Sequence, residues 1–391
     1  MIFLDVNTFW GEKAGGIKTY HLAKIEWFKR HPEHRYIIVG PAPRHARTSL
    51  APNVEKVELF GPAVTKDRDG YRLLLDFFGL LSTIKREKPD VVETGDPWFS
   101  GPMVLLARLF GVRPKIISSF YHADPMRTYV ETWAKKGWRW RRAAARIATP
   151  LFYALQKRYD ITLVSSRLME QYLQREGIKT WLTPFGFSPD FSRPPQEREE
   201  ASSEKIKLLY AGRLDPEKGM DLLLKTVPLL LLDERFEVTV MGRGRQEMEF
   251  QREEWLAHPR YRFVGYLQER SRLIEESSKH HLLLSTCPWE TFGLGVLEAF
   301  ALGIPAVAPQ QGGAGELVEE LDPSLLYPPG ADGVFDSPEE LMAAINRALE
   351  IDLQKLSKRA VLVAQRYGSW GSAVERMVEV YRSEIGKERT A

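Results

Sequence analysis

Short apolar runs closed by turn residues alternate along the chain with longer stretches in which apolar residues recur every three or four positions. This is the pattern of strands joined by crossover helices in a parallel sheet. The first series predicts strands at Ile2–Val6, Tyr36–Val39, Val54–Leu59, Val91–Glu93, Lys115–Ser119, Ile161–Val164 and Thr180–Thr183, with helical runs such as Ile17–Arg30, Leu73–Lys88 and Arg167–Glu176 between them. A Pro-rich and then charged stretch, Ser188 to Ser203, interrupts the alternation. A second series follows, with strands at Ile206–Tyr210, Glu237–Met241, Tyr261–Val264, Leu282–Ser285 and Ala306–Ala308. The expected architecture is α/β: two doubly wound domains in tandem, residues 1–190 and 205–368, with a linker at 191–204. Ligands in such folds bind beyond the carboxyl ends of the strands, so chemistry is expected in a cleft where both sets of loops meet. The last run, Ser369–Lys387, is helical with no strand after it and must pack elsewhere.

The length of 391 residues suits two domains. Hydrophobic residues at 43% and charged residues at 27% fit a soluble globular chain and exclude collagen, disorder and a membrane bundle. A net charge of +3 is too small to argue for a general nucleic-acid binder. The lone Cys287 rules out an internal disulfide and a thiolate metal cluster, and suits a reducing compartment. Met1–Val6 has no basic region before its apolar run and reads as a strand, not as a signal peptide. No run approaches the roughly 20 apolar residues of a membrane span. A cytoplasmic protein is expected.

Two strand-to-helix loops concentrate chemistry. In Ala211-Gly-Arg-Leu-Asp-Pro-Glu-Lys-Gly219, Gly212 lets backbone come close while Arg213 and Lys218 present two cations, a pair suited to a diphosphate and to the charge that builds on it as it leaves. Asp215-Pro216 is also a good helix start and Glu217 could pair with either cation, so an ordinary charged loop explains the segment as well. In Cys287-Pro-Trp-Glu-Thr-Phe-Gly-Leu-Gly-Val-Leu-Glu-Ala-Phe-Ala-Leu-Gly-Ile-Pro305, Glu290 lies in the loop, Gly293 and Gly295 flank a helix start, and Glu298 falls in the first turns. Helix amides there would meet an anion and the carboxylates would meet hydroxyls. Two solvated glutamates are the plain alternative, but Glu298 sits in an apolar stretch where an unpartnered carboxylate is costly.

These residues resemble the signature of the retaining group 1 (family four) glycosyltransferases of the GT-B fold: Glu290, seven residues, then Glu298, with Gly-Arg-Leu-Asp-Pro-Glu-Lys-Gly upstream like that family's phosphate loop. The resemblance extends over nearly the whole chain. Gly15-Gly16 looks like the glycine loop against the donor diphosphate, Tyr121-His122 lies where the family places a histidine near the donor sugar, and Phe263-Val-Gly-Tyr-Leu267 looks like the strand end that meets the nucleobase. Pro184–Asp190 resembles the approach to the linker, with Phe185 where Asn is more usual, implying a local packing difference. The resemblance implies two Rossmann-like domains and a last helix, about 369–391, crossing back onto the first. It implies that Arg213 and Lys218 hold the diphosphate, Glu298 the ribose and Glu290 the hexose. Phe292, Gly293 and Leu294 would line the sugar phosphate, with Gly212 and Leu267 on the donor side and His122 near the transferred sugar. The expected enzyme is a metal-independent hexosyltransferase with no cofactor. It would take a nucleoside diphosphate sugar of the UDP-glucose or GDP-mannose type and pass the hexose to a glycan or lipid-linked acceptor. A non-catalytic scaffold of the same fold and a glycan phosphorylase are the alternatives.

Three patterns read as decoys. Gly242-Arg-Gly244 lacks the third glycine and the acidic residue of a dinucleotide fingerprint. Asp67-Arg-Asp69 reads as a solvated turn, and His280-His281 has no partner ligands in sequence. Residues 127–158 are a further case. They carry Lys135, Lys136, Arg139, Arg141, Arg142, Arg146, Lys157 and Arg158 against Glu131, interleaved with Trp133, Trp138, Trp140, Phe152 and Tyr153. An anionic membrane surface, on the inner face of the membrane, and a solvated helix with its aromatics in the core explain this segment equally well. Nucleic acid is the lesser reading, and no nucleic-acid partner is expected.

Overall fold

The computed structural model describes residues 1–8, 15–63, 72–123, 125–126, 130, 139–192, 205–331 and 333–388; of residues 139–142 and 388 the backbone alone is described. The chain divides into two units. Unit 1 comprises Met1–Ser165, Met169–Pro184 and Trp370–Ala391, and unit 2 comprises Ser166–Leu168 and Phe185–Ser369.

In unit 1 the elements run β1 (Ile2–Val6), α1 (Gly16–Lys29), β2 (Arg35–Ala42), β3 (Ala46–Ala51), β4 (Val54–Phe60), α2 (Phe77–Glu87), β5 (Val91–Thr94), α3 (Ser100–Ala107), β6 (Ile116–Phe120), α4 (Arg139–Gln156), β7 (Ile161–Val164), α5 (Arg167–Arg175) and β8 (Thr180–Leu182). The sheet order is β3-β4-β2-β1-β5-β6-β7-β8. All neighbours pair parallel except β3, which runs antiparallel to β4. β1 thus lies between β2 and β5, where the winding reverses, and the segment carrying Gly15 and Gly16 leaves from that point.

Unit 2 continues with β9 (Ile206–Ala211), α6 (Met220–Leu232), β10 (Phe236–Met241), α7 (Glu253–Leu256), β11 (Tyr261–Gly265), α8 (Arg270–Ser277), β12 (Leu282–Leu284), α9 (Leu294–Ala301), β13 (Ala306–Pro309), α10 (Gly313–Leu321), β14 (Leu326–Tyr327), α11 (Pro338–Glu350) and α12 (Leu353–Tyr367). Its sheet, β11-β10-β9-β12-β13-β14, is parallel throughout, with β9 at the reversal between β10 and β12. The inner strands of each sheet, such as β2, β5, β6, β7, β12 and β13, are buried on both faces, which is why they read as continuous apolar runs.

The final helix, α13 (Trp370–Glu388), belongs to unit 1. What receives it there is a buried polar cluster that hydrophobic patterning hides. Lys24 of α1 is fully buried and its ammonium lies 2.5 Å from Asp5 on β1 and 3.1 Å from Glu93 on β5. Tyr20 and Tyr381 each donate to Glu93 at 2.6 Å, Tyr36 donates to Asp5 at 2.7 Å, and Tyr381 also contacts Ser118 on β6 at 2.9 Å. Burial alone would raise the Asp5 pKa, but the Lys24 charge and the His21 hydrogen bond bring it down to about 2. Burial and the two carboxylates push the three phenols well up, so they remain donors. Through Tyr381, α13 is hydrogen-bonded into the sheet's own charge network.

The structure moves one expected boundary. The units part after Pro184, not at 190, because Phe185, Phe187 and Phe191 are buried in unit 2 and Phe187 bridges Ser369. Of the predicted linker, residues 193–204 lie outside the described residues. β3 and β14 were not expected from the sequence, and the helix predicted from Leu73 begins at Phe77, after the Asp76 side chain caps Gly79 N–H at 2.8 Å.

Lys24→Met should remove the ammonium that pairs with both carboxylates of this cluster and leave them buried without it. Breaking a buried ion pair from one side costs about 3–5 kcal/mol, so unit 1 should unfold at markedly lower urea concentration. An unfolding curve superimposable on that of the parent protein would show that the cluster carries no such weight.

Candidate active site

The site in unit 2 starts where β9 ends. The chain passes through Gly212, Arg213, Leu214 and Asp215 into a single 3-10 turn, Pro216–Lys218, before α6 begins. This loop is fastened to the one after β10. Leu214 N–H donates to the Arg243 carbonyl at 2.9 Å and Gln246 N–H donates to the Leu214 carbonyl at 2.9 Å. A Cβ on Gly242 would strike the Gly212 carbonyl oxygen, and one on Gly244 would strike the Leu214 carbonyl. The Gly242-Arg243-Gly244 pattern is therefore a packing seam between two loops. The Tyr210 hydroxyl adds a bond to the Arg213 carbonyl at 2.9 Å.

The cations on this loop meet carboxylates. Arg213 reaches Asp215 at 2.5 Å and Glu217 at 3.2 Å, and Arg245 reaches the same two acids at 3.0 and 2.7 Å. Both guanidinium groups remain half exposed. Lys218 is held from across the sheet: its ammonium lies 2.6 Å from Glu290, in the loop after β12. Burial works against the charge on Lys218, but the Glu290 carboxylate more than offsets it and holds the ammonium above its ordinary value. Lys218 is thus a fixed positive charge at any physiological pH.

The β12 loop is tied back to the β9 loop by Thr286, whose hydroxyl donates to the Lys218 carbonyl at 2.7 Å, and by the Cys287 thiol, which donates to the Glu217 carbonyl at 3.3 Å. Burial pushes that thiol up to about 11, so Cys287 is a neutral structural donor. The Glu290 carbonyl accepts from Gly313 N–H at 2.5 Å, at the start of α10. Gly293 then turns the chain into α9 with φ +92°, and a Cβ there would lie 2.8 Å from the Ala314 Cα. Both conditions require glycine. No side chain caps α9, leaving its first turn, from Leu294, as an electropositive helix end beside the β9 terminus; Gly295 lies nearest the Ala211 carbonyl.

Glu298 projects from α9. Among the described residues no donor or cation bonds its carboxylate. Burial pushes its pKa up to about 7, opposed by the charge of Arg270. A buried carboxylate without hydrogen-bond donors is costly to a fold. Leu267, half buried, follows the end of β11. The Phe292 side chain turns inward, with its ring 5.2 Å from Phe185 and 5.7 Å from Tyr367, so it offers a ligand its backbone alone. Phe185 at an Asn-type position is accordingly a packing element.

Unit 1 holds the remaining expected residues. Gly15 and Gly16, both exposed, begin α1, and among the described residues no side chain caps this helix N-terminus. His122 follows β6, stacked on Phe120 at 4.4 Å and edge-on to Tyr20 at 4.8 Å. Burial, with His21 and Lys24 adding positive charge nearby, lowers its pKa well below the ordinary value and keeps the imidazole neutral.

Arg245, Thr286 and the Gly312-Gly313 pair were not picked out in the sequence; their one signal was the glycine spacing, which also fits ordinary turns. Asp67 and Asp69 lie outside the described residues. His280 and His281 serve the backbone: His280 Nδ1 meets the Glu276 carbonyl at 3.0 Å and Lys207 N–H donates to His281 Nδ1 at 3.0 Å.

Two family models match the chain, glycosyl transferases group 1 over residues 192–365 and glycosyl transferase 4-like domain over residues 15–182. A glycogen synthase from Thermus thermophilus is 31% identical over 194 residues, 48% of this chain and 41% of that protein, so the match spans less than half of that relative. Among solved structures, a sucrose-phosphate synthase from Thermosynechococcus elongatus aligns with a TM-score of 0.75 at 19% identity, covering 99% of this chain and 100% of the other. Anabaena HepE in complex with UDP-glucose aligns at 0.67 and 17% identity, covering 98% and 100%. These structural likenesses establish the GT-B fold.

The Glu298 shift has a sign that can be measured. Its folded pKa of about 7 exceeds the ordinary 4.5, so between these values the native protein holds a proton the unfolded chain has lost. Stability contributed by Glu298 is therefore present at low pH and declines as pH rises through that window. Relative to Glu298→Gln, the parent protein should lose stability between about pH 5 and pH 8. Parallel stability profiles for the two proteins would rule out a raised Glu298.

Proposed function

Because the chain belongs to the group 1 glycosyltransferases, we propose that it moves a hexose from a nucleoside diphosphate sugar of the UDP-glucose or GDP-mannose type to a glycan or lipid-linked acceptor, with retention of anomeric configuration and without a metal ion. The observation that carries this reading is the contact of Lys218 with Glu290 between the loops at the carboxyl ends of β9 and β12, with Arg213 on the first of these loops and Glu298 on the helix that follows the second.

Each group has a role its environment supports. The ribose hydroxyls are the donors that Glu298 lacks. Lys218, Arg213 and the amides at the α9 N-terminus would receive the diphosphate, and their attraction grows as the glycosidic bond breaks and negative charge gathers on the leaving oxygen. In the unliganded protein Arg213 is neutralised by Asp215 and Glu217, so donor binding exchanges a carboxylate partner for a phosphate. Glu290, released from Lys218, accepts hydrogen bonds from the hexose hydroxyls. With both cations committed to the diphosphate, the departing phosphate oxygen stays on the face it leaves from and takes the proton of the incoming acceptor hydroxyl. The hexose passes through an oxocarbenium-like state and keeps its configuration. On unit 1, the helix N-terminus at Gly15 and Gly16 is suited to an anion and the neutral imidazole of His122 to a hydrogen bond with a hydroxyl.

Arg213→Ala and Lys218→Ala should each reduce kcat, read as release of nucleoside diphosphate, by at least about tenfold. The parent rate should be unaffected by EDTA. Unchanged turnover in both variants would remove the assigned role of the cations, and loss of the parent rate to EDTA would contradict a metal-independent transfer.

A further inference from the structure

Unit 1 carries an apolar surface that sugar transfer does not use. Helices α2, α3 and α4 lie on one face of its sheet. Leu80, Leu81 and Ile84 of α2, Val104 and Ala107 of α3, and Tyr159 just after α4 share one core with the sheet. Neighbouring helices are also joined directly. The Phe77 and Phe110 rings lie 5.3 Å apart, Trp98 lies 5.9 Å from Phe152, and Arg108 donates to the Arg158 carbonyl at 3.2 Å. The outward side chains of this layer therefore form one surface.

That surface is unusually apolar. Phe78 is 76% exposed, Leu109 80%, Ile147 72% and Leu151 69%. Ile147 and Leu151 stand four residues apart on α4, and Ala143, Pro150 and Ala154 continue their exposed stripe. Phe152 and Tyr153, by contrast, are buried with Tyr121 and Met126, so two of the aromatics noted in this basic segment are core residues. The charge within this segment has one sign, and the exposed Asp160 just beyond it is paired with Arg108. From Arg139 to Arg158 the chain carries six arginines and lysines and no acid, and Arg146, Lys157 and Arg158 are exposed.

We infer that this face of unit 1 docks on an anionic lipid bilayer, with Ile147, Leu151, Leu109 and Phe78 entering the headgroup region and the exposed cations Arg146, Lys157 and Arg158 meeting lipid phosphates. The charge selects this occupant. A second copy related by a two-fold axis would bring the same cations against one another across the contact. Single-stranded nucleic acid would use aromatic stacking platforms, whereas the exposed stripe of α4 is aliphatic among the described residues. Arg and Lys suit a lipid surface because their stems lie along apolar material while their heads reach phosphate. The inference concerns docking alone and stands independently of the donor chemistry assigned to unit 2.

The test is cosedimentation of the full chain, without donor or acceptor, with phosphatidylcholine vesicles that contain or lack phosphatidylglycerol. The protein should pellet with the anionic vesicles at low salt and be released at high salt. The double variant Ile147→Glu/Leu151→Glu and the single variant Leu109→Glu should each weaken partitioning at least about tenfold. Leu232→Glu, at an 81% exposed position of unit 2, should leave it unchanged. All four positions are exposed, so each variant should keep the parent melting temperature. A charge variant, Arg146→Gln/Lys157→Gln/Arg158→Gln, should lose the preference for anionic lipid and serves as a second probe if a glutamate variant fails to fold. Failure of the parent protein to pellet with anionic vesicles, equal binding to both vesicle types, or undiminished binding by the variants would overturn the inference. A parent dimer that Ile147→Glu/Leu151→Glu dissociates, with no vesicle binding, would assign the face to a second copy and overturn it as well. Nucleoside diphosphate binding measured on the same samples reports separately on unit 2.

Discussion

Lys218 and Glu290 are 72 residues apart in sequence and 2.6 Å apart in space. Two adjacent parallel strands, β9 and β12, make this contact, because both deliver their loops to the same edge of the sheet. The rest of the site follows from keeping those loops in register. Thr286 and Cys287 bond across to the carbonyls of Lys218 and Glu217, and Gly313 holds the Glu290 carbonyl from a third loop. At Gly242 and Gly293 the missing Cβ is what permits the approach. Two cations and two carboxylates are thereby fixed by backbone contacts, with little left to side-chain flexibility.

The two units handle buried charge in opposite ways. In unit 1 Asp5 and Glu93 are fully occupied by Lys24 and three tyrosines, and the result is cohesion: α1, α13 and four strands share one polar knot. In unit 2 Glu298 has no bonded partner among the described residues, and burial raises its pKa. A satisfied network explains itself structurally, whereas an unsatisfied carboxylate at a strand-end site points to a ligand. The strained group is thus informative about function and the satisfied ones about assembly.

Most strands were legible because a sheet covered on both faces leaves uninterrupted apolar runs. β3 was not, since Ala-Arg-Thr-Ser-Leu-Ala is an exposed edge with no buried face to impose a pattern. Arg213, Lys218, Glu290 and Glu298 are singled out in the sequence by loop placement and by a resemblance carried by two motifs. Lys24 was missed because a lysine within a helical run reads as a solvated position; only the third dimension shows Asp5 and Glu93 beside it. Arg245 was hidden behind a glycine pattern that resembled a dinucleotide loop. The boundary near residue 190 followed the prolines, but the chain divides where Phe185 enters the core of unit 2, and burial cannot be read from a Pro-rich stretch.

The central claim, that unit 2 is built around the nucleoside diphosphate portion of a sugar donor, is tested most directly by titration calorimetry of the full chain with UDP, GDP and ADP, repeated with Glu298→Ala. Saturable binding of one nucleotide that weakens by at least about tenfold in the variant is the predicted result, and it would also identify the base. Absence of binding by all three, or equal affinity in Glu298→Ala, would contradict the account.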